Sequence, residues 1–233
     1  MLGKFIVFEG VEGSGKTTQI QQALAWITEA GWAQQIMAAY GLQPPVAVVT
    51  REPGGTKLGQ QLRQLLLDPS LSVAEAITPE AELLLYAADR AQHVVQWIQP
   101  QLAAGKIVLC DRFTASTLAY QGYGRQISLD LIDQVNRLAT FGLSPDLTLW
   151  FNLDIQVGLQ RAQQRNAQAG PDRMEANEEE FHQRVAHGFA AIAEADPATH
   201  MIDGNANLET VTDQVRSILQ RHFEQWYPRP LPS

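Results

Sequence analysis

Hydrophobic residues along the chain form short, nearly continuous runs that alternate with longer stretches of helical spacing. None of the short runs alternates cleanly between apolar and polar residues, which is typical of strands covered by helices on both faces. The chain therefore predicts an α/β fold in which helices flank a five-stranded parallel sheet. The predicted strands are Phe5–Glu9, Val46–Thr50, Lys106–Cys110, Leu147–Leu153 and His200–Ile202.

The stretches between these runs predict helices. Pro100 lies inside the longest of them and predicts a kink or a break there. Ser128 is a candidate N-cap, and Gly105 is a candidate helix stop. Irregular structure is predicted at Tyr40–Pro45 and at Asn166–Asn177. The predicted helices are Thr17–Ala30, Lys57–Leu67, Pro79–Ala104, Leu129–Phe141, Ile155–Ala169, Glu178–Ala195 and Leu208–Trp226.

No linker or internal repeat divides the chain, so we predict one domain over residues 1–226 and a frayed tail at residues 227–233. Hydrophobic residues make up 45% and charged residues 18%, which excludes a mainly disordered chain. The net charge of −8 argues against a nucleic-acid partner, because binding to phosphate backbones needs a basic surface. A single cysteine, Cys110, and the lack of a membrane-length apolar run lead us to expect a cytoplasmic protein.

A glycine-rich segment after the first predicted strand matches the pattern GxxxxGK[ST] and is followed by a predicted helix. Consecutive backbone N–H groups in such a loop surround a phosphate, a lysine adds positive charge and a hydroxyl binds magnesium. The segment therefore predicts a site for a nucleoside triphosphate and Mg²⁺. Its residues are Gly10, Val11, Glu12, Gly13, Ser14, Gly15, Lys16 and Thr17.

Two further polar segments follow the second and third predicted strands. Thr50–Thr56 contains Arg51 and a Pro-Gly-Gly turn, and Asp111 and Arg112 end the third strand. Because the carboxyl ends of parallel strands are where open α/β sheets place ligands, Asp111 is a candidate for the magnesium site and Arg112 for a phosphate. An ordinary loop with a surface salt bridge, or a structural ion pair at a strand end, would give the same residues.

Together with the segments Ala81–Arg90 and Asp111–Arg125, these motifs resemble the thymidylate kinase family from about residue 4 to residue 203. The resemblance implies a P-loop nucleotide kinase that carries the γ-phosphoryl group of ATP to dTMP. It implies that Arg51 and Arg112 bind the acceptor phosphate. The other substrate residues it implies are Tyr86 stacked on the base, Arg90 near the base or phosphate, Thr117 and Gln121 at the base edge, Tyr120 beside the sugar, and Glu9 near the sugar or the metal.

In this family an arginine that reaches the transferred phosphoryl group lies either in the phosphate loop or in a lid that closes over ATP. The loop has Glu12 and no arginine, so the resemblance assigns that role to a lid at about residues 161–177. We choose Arg165 and Arg173 as the catalytic lid residues and Arg161 as a residue that braces the helix. A solvated helix face would also account for any one of these arginines.

Other interpretations of the same motifs stay open at this stage. Another nucleoside or nucleotide kinase of the same fold would share them, as would a P-loop switch that hydrolyses a nucleotide slowly. The segment Trp32–Pro45 is longer than the connection that the resemblance leads us to expect. The resemblance also implies a homodimer, although no residue pattern in the chain demonstrates one.

Overall fold

A computed structural model describes residues 3–71, 76–165 and 172–228 of the chain, except for the side chain of Arg165. Five strands form one parallel sheet in the order β2-β3-β1-β4-β5, which confirms the predicted α/β fold. The strands are β1 (Lys4–Gly10), β2 (Ala47–Arg51), β3 (Ile107–Asp111), β4 (Leu147–Asn152) and β5 (Thr199–Asp203).

Helices cover both faces of the sheet, and every predicted helix is present within one or two residues where the structure describes it. The helices are α1 (Lys16–Glu29), α2 (Trp32–Tyr40), α3 (Lys57–Leu67), α4 (Pro79–His93), α5 (Gln99–Ala103), α6 (Thr114–Thr117), α7 (Leu129–Thr140), α8 (Ile155–Arg165), α9 (Glu179–Ala195) and α10 (Leu208–Trp226). Among the described helices, none is long and apolar enough to cross a membrane.

Helix α2 is the main addition to the predicted elements, because the sequence analysis treated its residues as part of a long connection. Its buried Trp32 packs on α10, where the indole meets the ring of Phe223 edge to face at 5.5 Å, and its buried Ile36 belongs to the same apolar cluster. The longest predicted helix is distorted at a π-helical segment, Val94–Ile98, just before Pro100. A second π-helical segment, Leu118–Gly124, follows α6.

Local capping explains where several helices begin. The hydroxyl oxygens of Thr56 and Thr78 accept hydrogen bonds from backbone N–H groups at the starts of α3 and α4, at 3.0 and 3.3 Å. Ser128 precedes α7 as predicted, but its side chain makes no capping hydrogen bond. Gly105 follows α5 with φ of +79°, which confirms it as the helix stop.

Apolar packing on both faces of the sheet holds the strands in place. One large cluster joins α1, α2 and α10 to one face, and a second joins the π-helical segment Val94–Ile98 and α5 to the other. Strands β1, β3 and β4 are almost fully buried, and this explains their nearly continuous apolar sequence. The rigid sheet therefore fixes the positions of the polar segments that leave its carboxyl edge.

Candidate active site

The carboxyl edge of the sheet brings together the three motif segments that the sequence separates. Strand β3 lies between β2 and β1, with Arg51 opposite Asp111 on one side and Phe8 opposite Asp111 on the other. The glycine-rich loop leaves β1 at Gly10, two residues beyond that pairing. One edge of the sheet therefore carries the predicted triphosphate loop, metal ligand and acceptor arginine.

The loop between β1 and α1 has the backbone that a phosphate cradle needs. Gly13 has φ of +73°, and a side chain there would collide with the backbone oxygen of Gly158 in α8. The Lys16 ammonium donates to the Val11 carbonyl at 2.8 Å and to the Ser14 hydroxyl at 3.1 Å. Burial lowers the pKa of Lys16 to about 8. The loop is thus held in a compact form around its own lysine.

A magnesium ion fits beside the loop, where Thr17 and Asp111 meet. The Thr17 hydroxyl donates to Oδ2 of Asp111 at 3.0 Å, while the buried Oδ1 of Asp111 has no hydrogen-bond partner among the described residues. An acceptor-only oxygen in that state suits a hard cation, which prefers oxygen ligands. The described residues contain no group of three or more His, Cys, Asp or Glu side chains that could hold a metal ion. Such a site would therefore rely on phosphate oxygens and water.

A cavity opens on the acceptor side of the loop and, with its mouth, encloses about 760 Å³ of empty space. The structure brings six of the predicted substrate residues into its wall. These are Tyr86, Arg90, Arg112, Thr117, Tyr120 and Gln121. Arg51 lies outside this group, exposed on the neighbouring cleft that also contains Thr17 and Asp111.

Arg112 contacts both the triphosphate loop and the acceptor cavity. Its guanidinium donates to the carbonyl of Gly10 at 3.0 Å and pairs with the carboxylate of Glu12 at 2.9 Å. It also lies over the ring of Tyr120, 5.2 Å from the centroid, and donates to Ser116 at 3.1 Å. Its backbone is in the left-handed region, with φ of +71°, which is uncommon for a residue with a side chain. Arg112 is thus the link between the two predicted nucleotide sites.

Glu9 is buried, and its carboxylate holds the turn after β3. Oε1 accepts from the backbone N–H groups of Phe113 and Ser116 at 2.8 and 3.2 Å, and Oε2 accepts from the Ser116 hydroxyl. Burial raises the pKa of Glu9 above its usual range, although these hydrogen bonds and Arg112 oppose the shift. The carboxylate is therefore satisfied by protein groups, and its predicted contact with the sugar or metal remains a prediction.

Arg90 is also buried, and protein groups surround its guanidinium. It pairs with Glu52 at 2.8 Å and donates to the side-chain oxygen of Asn136 at 2.6 Å and to the carbonyl of Phe113 at 3.0 Å. Glu52 also contacts the Nδ1 of His93 at 3.0 Å. This network joins the loop after β2, which contains Glu52 and is called the acceptor loop below, to the turn after β3. Arg90 remains in the cavity wall, and its predicted contact with a ligand remains a prediction.

Tyr86 and Tyr120 form aromatic parts of the cavity wall. Tyr86 is half-buried on α4, and burial raises the pKa of its hydroxyl well above the usual range. Burial likewise raises the pKa of Tyr120. Both hydroxyls therefore stay protonated at neutral pH and can donate hydrogen bonds.

The predicted lid arginines do not share one position. Arg173 pairs with the buried Glu82 at 2.7 Å and donates to the carbonyl of Leu66 at 2.7 Å. Arg161 is exposed on α8, and its guanidinium lies 3.5 Å from the carbonyl of Gly13 in the triphosphate loop. The side chain of Arg165 lies outside the described residues. Of the two described side chains, Arg161 is the one in contact with the loop.

Comparison with known proteins identifies the family. The model of the thymidylate kinase family matches residues 8–215. The chain belongs to the thymidylate kinase family. A thymidylate kinase of Cyanothece sp. is 51% identical over 234 residues that cover 98% of each chain. A thymidylate kinase of Acaryochloris marina is 48% identical and covers 98% of this chain and 100% of its own.

A solved structure supports the fold of this thymidylate kinase family member. The crystal structure of thymidylate kinase from Ehrlichia chaffeensis is 34% identical, with a TM-score of 0.71. The match covers 94% of this chain and 100% of that one. Membership of this family favours the kinase interpretation over a P-loop switch.

Arg63 was not predicted as a site residue, but it lies in the wall of the acceptor cavity. Its guanidinium donates to the carbonyl of Pro53 at 3.3 Å, and burial together with Arg51 and Arg112 lowers its pKa. Arg63 follows Gly59 by four residues on α3, and a side chain at Gly59 would collide with the carboxylate of Asp89 in α4. Gly59 thus marks the side of α3 that packs against α4, whereas no local sequence pattern marks Arg63 as part of the cavity wall.

Proposed function

We propose that the protein transfers the γ-phosphoryl group of ATP to dTMP, with ADP and dTDP as products. The observation that carries this proposal is the position of Arg112, which contacts the triphosphate loop at Gly10 and Glu12 and also forms part of the acceptor cavity. Phosphoryl transfer requires two anions to be aligned next to each other. A cation fixed between the two sites meets that requirement.

On the donor side, the loop from Gly10 to Thr17 would surround the phosphates of ATP through its backbone N–H groups. Lys16 would turn from the carbonyl and hydroxyl oxygens that it contacts now to the more negative phosphates. Thr17 and Asp111 would hold Mg²⁺, supported by the unpartnered oxygen of Asp111. When bound, magnesium neutralises negative charge on the phosphates.

On the acceptor side, Arg51 and Arg112 would bind the phosphate of dTMP, and Arg63 would add a third positive charge. Burial is the largest cause of the lowered pKa of Arg63, and the charges of Arg51 and Arg112 lower it further; an anion placed among the three guanidinium groups would relieve this repulsion. The proposed nucleoside contacts are Tyr86 on the base, Arg90 near the base or phosphate, Thr117 and Gln121 at the base edge, Tyr120 beside the sugar, and Glu9 near the sugar or the metal.

We propose that the lid supplies the arginine that reaches the transferred group, because the triphosphate loop of this chain has none. Arg165 and Arg173 remain the proposed residues. In the present arrangement Arg173 is paired with Glu82, so it would have to leave that carboxylate to contact the phosphates. Arg161 joins them as a candidate because its guanidinium lies beside Gly13. Replacement of each arginine by alanine, followed by measurement of kcat, would separate the three.

We propose that the whole of residues 1–226 works as one domain and that two copies form a homodimer. Exposed apolar side chains on the adjacent helices α4 and α7 support the dimer, since Leu84 is 61% exposed and Leu138 is 77% exposed. Sedimentation should give twice the chain mass, and Leu138→Glu should lower it. The free, buried thiol of Cys110 suits a reducing compartment, so we place the protein in the cytoplasm.

The activity is tested by steady-state rates with ATP, Mg²⁺ and a panel of monophosphates: dTMP, dUMP, dCMP, dGMP and AMP. We expect ADP release to depend on the acceptor and to be fastest with dTMP. Because thymine and uracil differ by one methyl group, the preference over dUMP should be about 10- to 200-fold. ADP release at the same rate without any acceptor, or a preference for another monophosphate, would contradict the proposal.

A further inference from the structure

Glu82 is a completely buried carboxylate at the start of α4 that receives donors from two other parts of the chain. The side-chain amide of Gln121 donates to its Oε1 at 2.7 Å. The guanidinium of Arg125 donates to both carboxylate oxygens at 3.2 and 3.1 Å, and Arg173 approaches Oε2 at 2.7 Å. Burial acts to raise the pKa of Glu82, but Arg125, Gln121 and Arg173 together lower it below its usual range. Glu82 is therefore ionised at neutral pH.

An ionised carboxylate can only accept hydrogen bonds, and this determines the orientation of the Gln121 amide. The group that faces Glu82 must be the NH₂ group, so the carbonyl oxygen points to the other side of the amide. Gln121 is buried in the wall of the acceptor cavity, and within the described part of the chain no donor contacts its Oε1. Its carbonyl oxygen and its second N–H remain available for a ligand.

A fixed amide distinguishes the two classes of pyrimidine by hydrogen-bond pattern. Thymine and uracil have a donor at N3 and an acceptor at O4, whereas cytosine has an acceptor at N3 and a donor at N4. An amide can offer its oxygen to N3–H and its N–H to O4 of thymine or uracil. With cytosine in the same position, the amide oxygen would face the acceptor N3, and the amide N–H would face the donor N4. Unmatched polar groups in a buried site are costly. Rotation of the amide by 180° would remove this penalty.

We propose that Glu82 is a positioning residue for base specificity, which holds the Gln121 amide in the orientation that suits a 4-oxo pyrimidine and rejects a 4-amino pyrimidine. This inference rests on the proposed function, because it takes the acceptor cavity as the site of the monophosphate. Arg125 sustains the role of Glu82 by neutralising its buried charge, and because it contacts both carboxylate oxygens it does so even when Arg173 leaves for the phosphates. Arg125 is itself fixed by a donor bond to Asn177 at 2.6 Å and by the ring of Phe181, 4.5 Å away.

The test compares kcat/KM for dTMP and dCMP in the wild type and in Glu82→Gln. A glutamine at position 82 can donate as well as accept, so the Gln121 amide is free to rotate. We expect the ratio of the dTMP value to the dCMP value to fall by about 10-fold or more, while the KM for ATP stays the same. Glu82→Asp keeps an acceptor-only group and should restore the wild-type ratio. An unchanged ratio in Glu82→Gln, with both values reduced equally, would show that Glu82 has only a structural role.

A second variant keeps the inference testable if Glu82→Gln does not fold. Gln121→Leu removes the amide through which Glu82 is proposed to act, and it should lower the same ratio to a similar extent. If the ratio in Gln121→Leu equals that of the wild type, Glu82 cannot act through the amide and the inference is wrong. Failure of the proposed function would look different, because the wild type itself would not use dTMP.

Discussion

The proposed triphosphate loop is eight consecutive residues that would bind phosphate mainly through backbone N–H groups, whereas the wall of the acceptor cavity is assembled from side chains on α3, α4 and the segment after β3. Local backbone geometry fixes the shape of the loop, as the positive φ of Gly13 shows. Buried glutamates fix the cavity wall. Glu9 accepts hydrogen bonds from the turn after β3, Glu52 pairs with Arg90, and Glu82 accepts from Gln121. A contiguous site can be read directly from sequence, but a site held by distant ion pairs depends on the complete fold.

The largest effect should come from Lys16→Ala in the triphosphate loop. Its loss removes the point charge aimed at the phosphates, and we expect turnover to fall by more than about 1,000-fold. The free energy of unfolding in urea should change little compared with turnover, because the hydrogen bonds of the Lys16 ammonium stay within its own loop and do not join it to the rest of the fold. Lys57→Ala, at an exposed lysine on α3, is the matched control and should keep normal turnover. Normal activity of Lys16→Ala would refute the assignment of the loop.

Glu52→Gln should have the next largest effect, and it should appear in stability. The guanidinium of Arg90 is only 2% exposed, so removal of the facing negative charge leaves a buried cation poorly compensated. We expect the free energy of unfolding in urea to fall by about 3 kcal/mol. Asp133→Asn breaks the exposed pair between Asp133 and Arg137 and should cost below about 0.5 kcal/mol. Equal losses in the two variants would contradict the structural role of the buried network.

Most of the fold could be predicted from the sequence, as could the strand before the glycine-rich loop and the helix after it, because these depend on local patterns. The pattern did not predict helix α2, since the buried Trp32 at its start finds its partners on α10, where the side chain of Gln220 is 188 residues away. Of the arginines in the cavity wall, Arg90 and Arg112 were predicted from the resemblance and Arg63 was not, and the partners of all three were not predicted. Nothing in the local sequence shows that Glu82 will face Gln121, because the two residues meet only when α4 packs beside the segment after β3.

Arg112→Ala should separate the two sites that Arg112 now connects. We expect kcat/KM for dTMP to fall by about 100-fold, because a guanidinium directed at the acceptor phosphate is lost. The affinity for ATP, measured by titration of a non-hydrolysable analogue, should change much less, since Lys16 and the loop N–H groups remain. A selective loss of ATP affinity would mean that Arg112 serves the triphosphate loop rather than the acceptor cavity.

The smallest effect should come from Asp89→Asn behind the acceptor loop. Asp89 accepts from the N–H of Gly54 at 3.1 Å, but its buried Oδ2 has no partner among the described residues. Burial, reinforced by Glu52, raises the pKa of Asp89 from 3.8 to about 6. The folded state binds the proton of Asp89 more tightly than the unfolded state does. The free energy of unfolding therefore falls as the pH rises from about 4 to 6 and Asp89 ionises.

Asparagine removes that cost without removing the acceptor for Gly54. The pKa shift alone corresponds to at most roughly 3 kcal/mol, and we expect a gain of roughly 1 to 2 kcal/mol at pH 8, because the new NH₂ group also lacks a partner. At pH 4 the advantage should be much smaller, since folded wild-type Asp89 is then mostly protonated and neutral. Urea unfolding of both proteins at the two pH values measures the difference. A gain of the same size at both values would show that ionisation of Asp89 is not its cause.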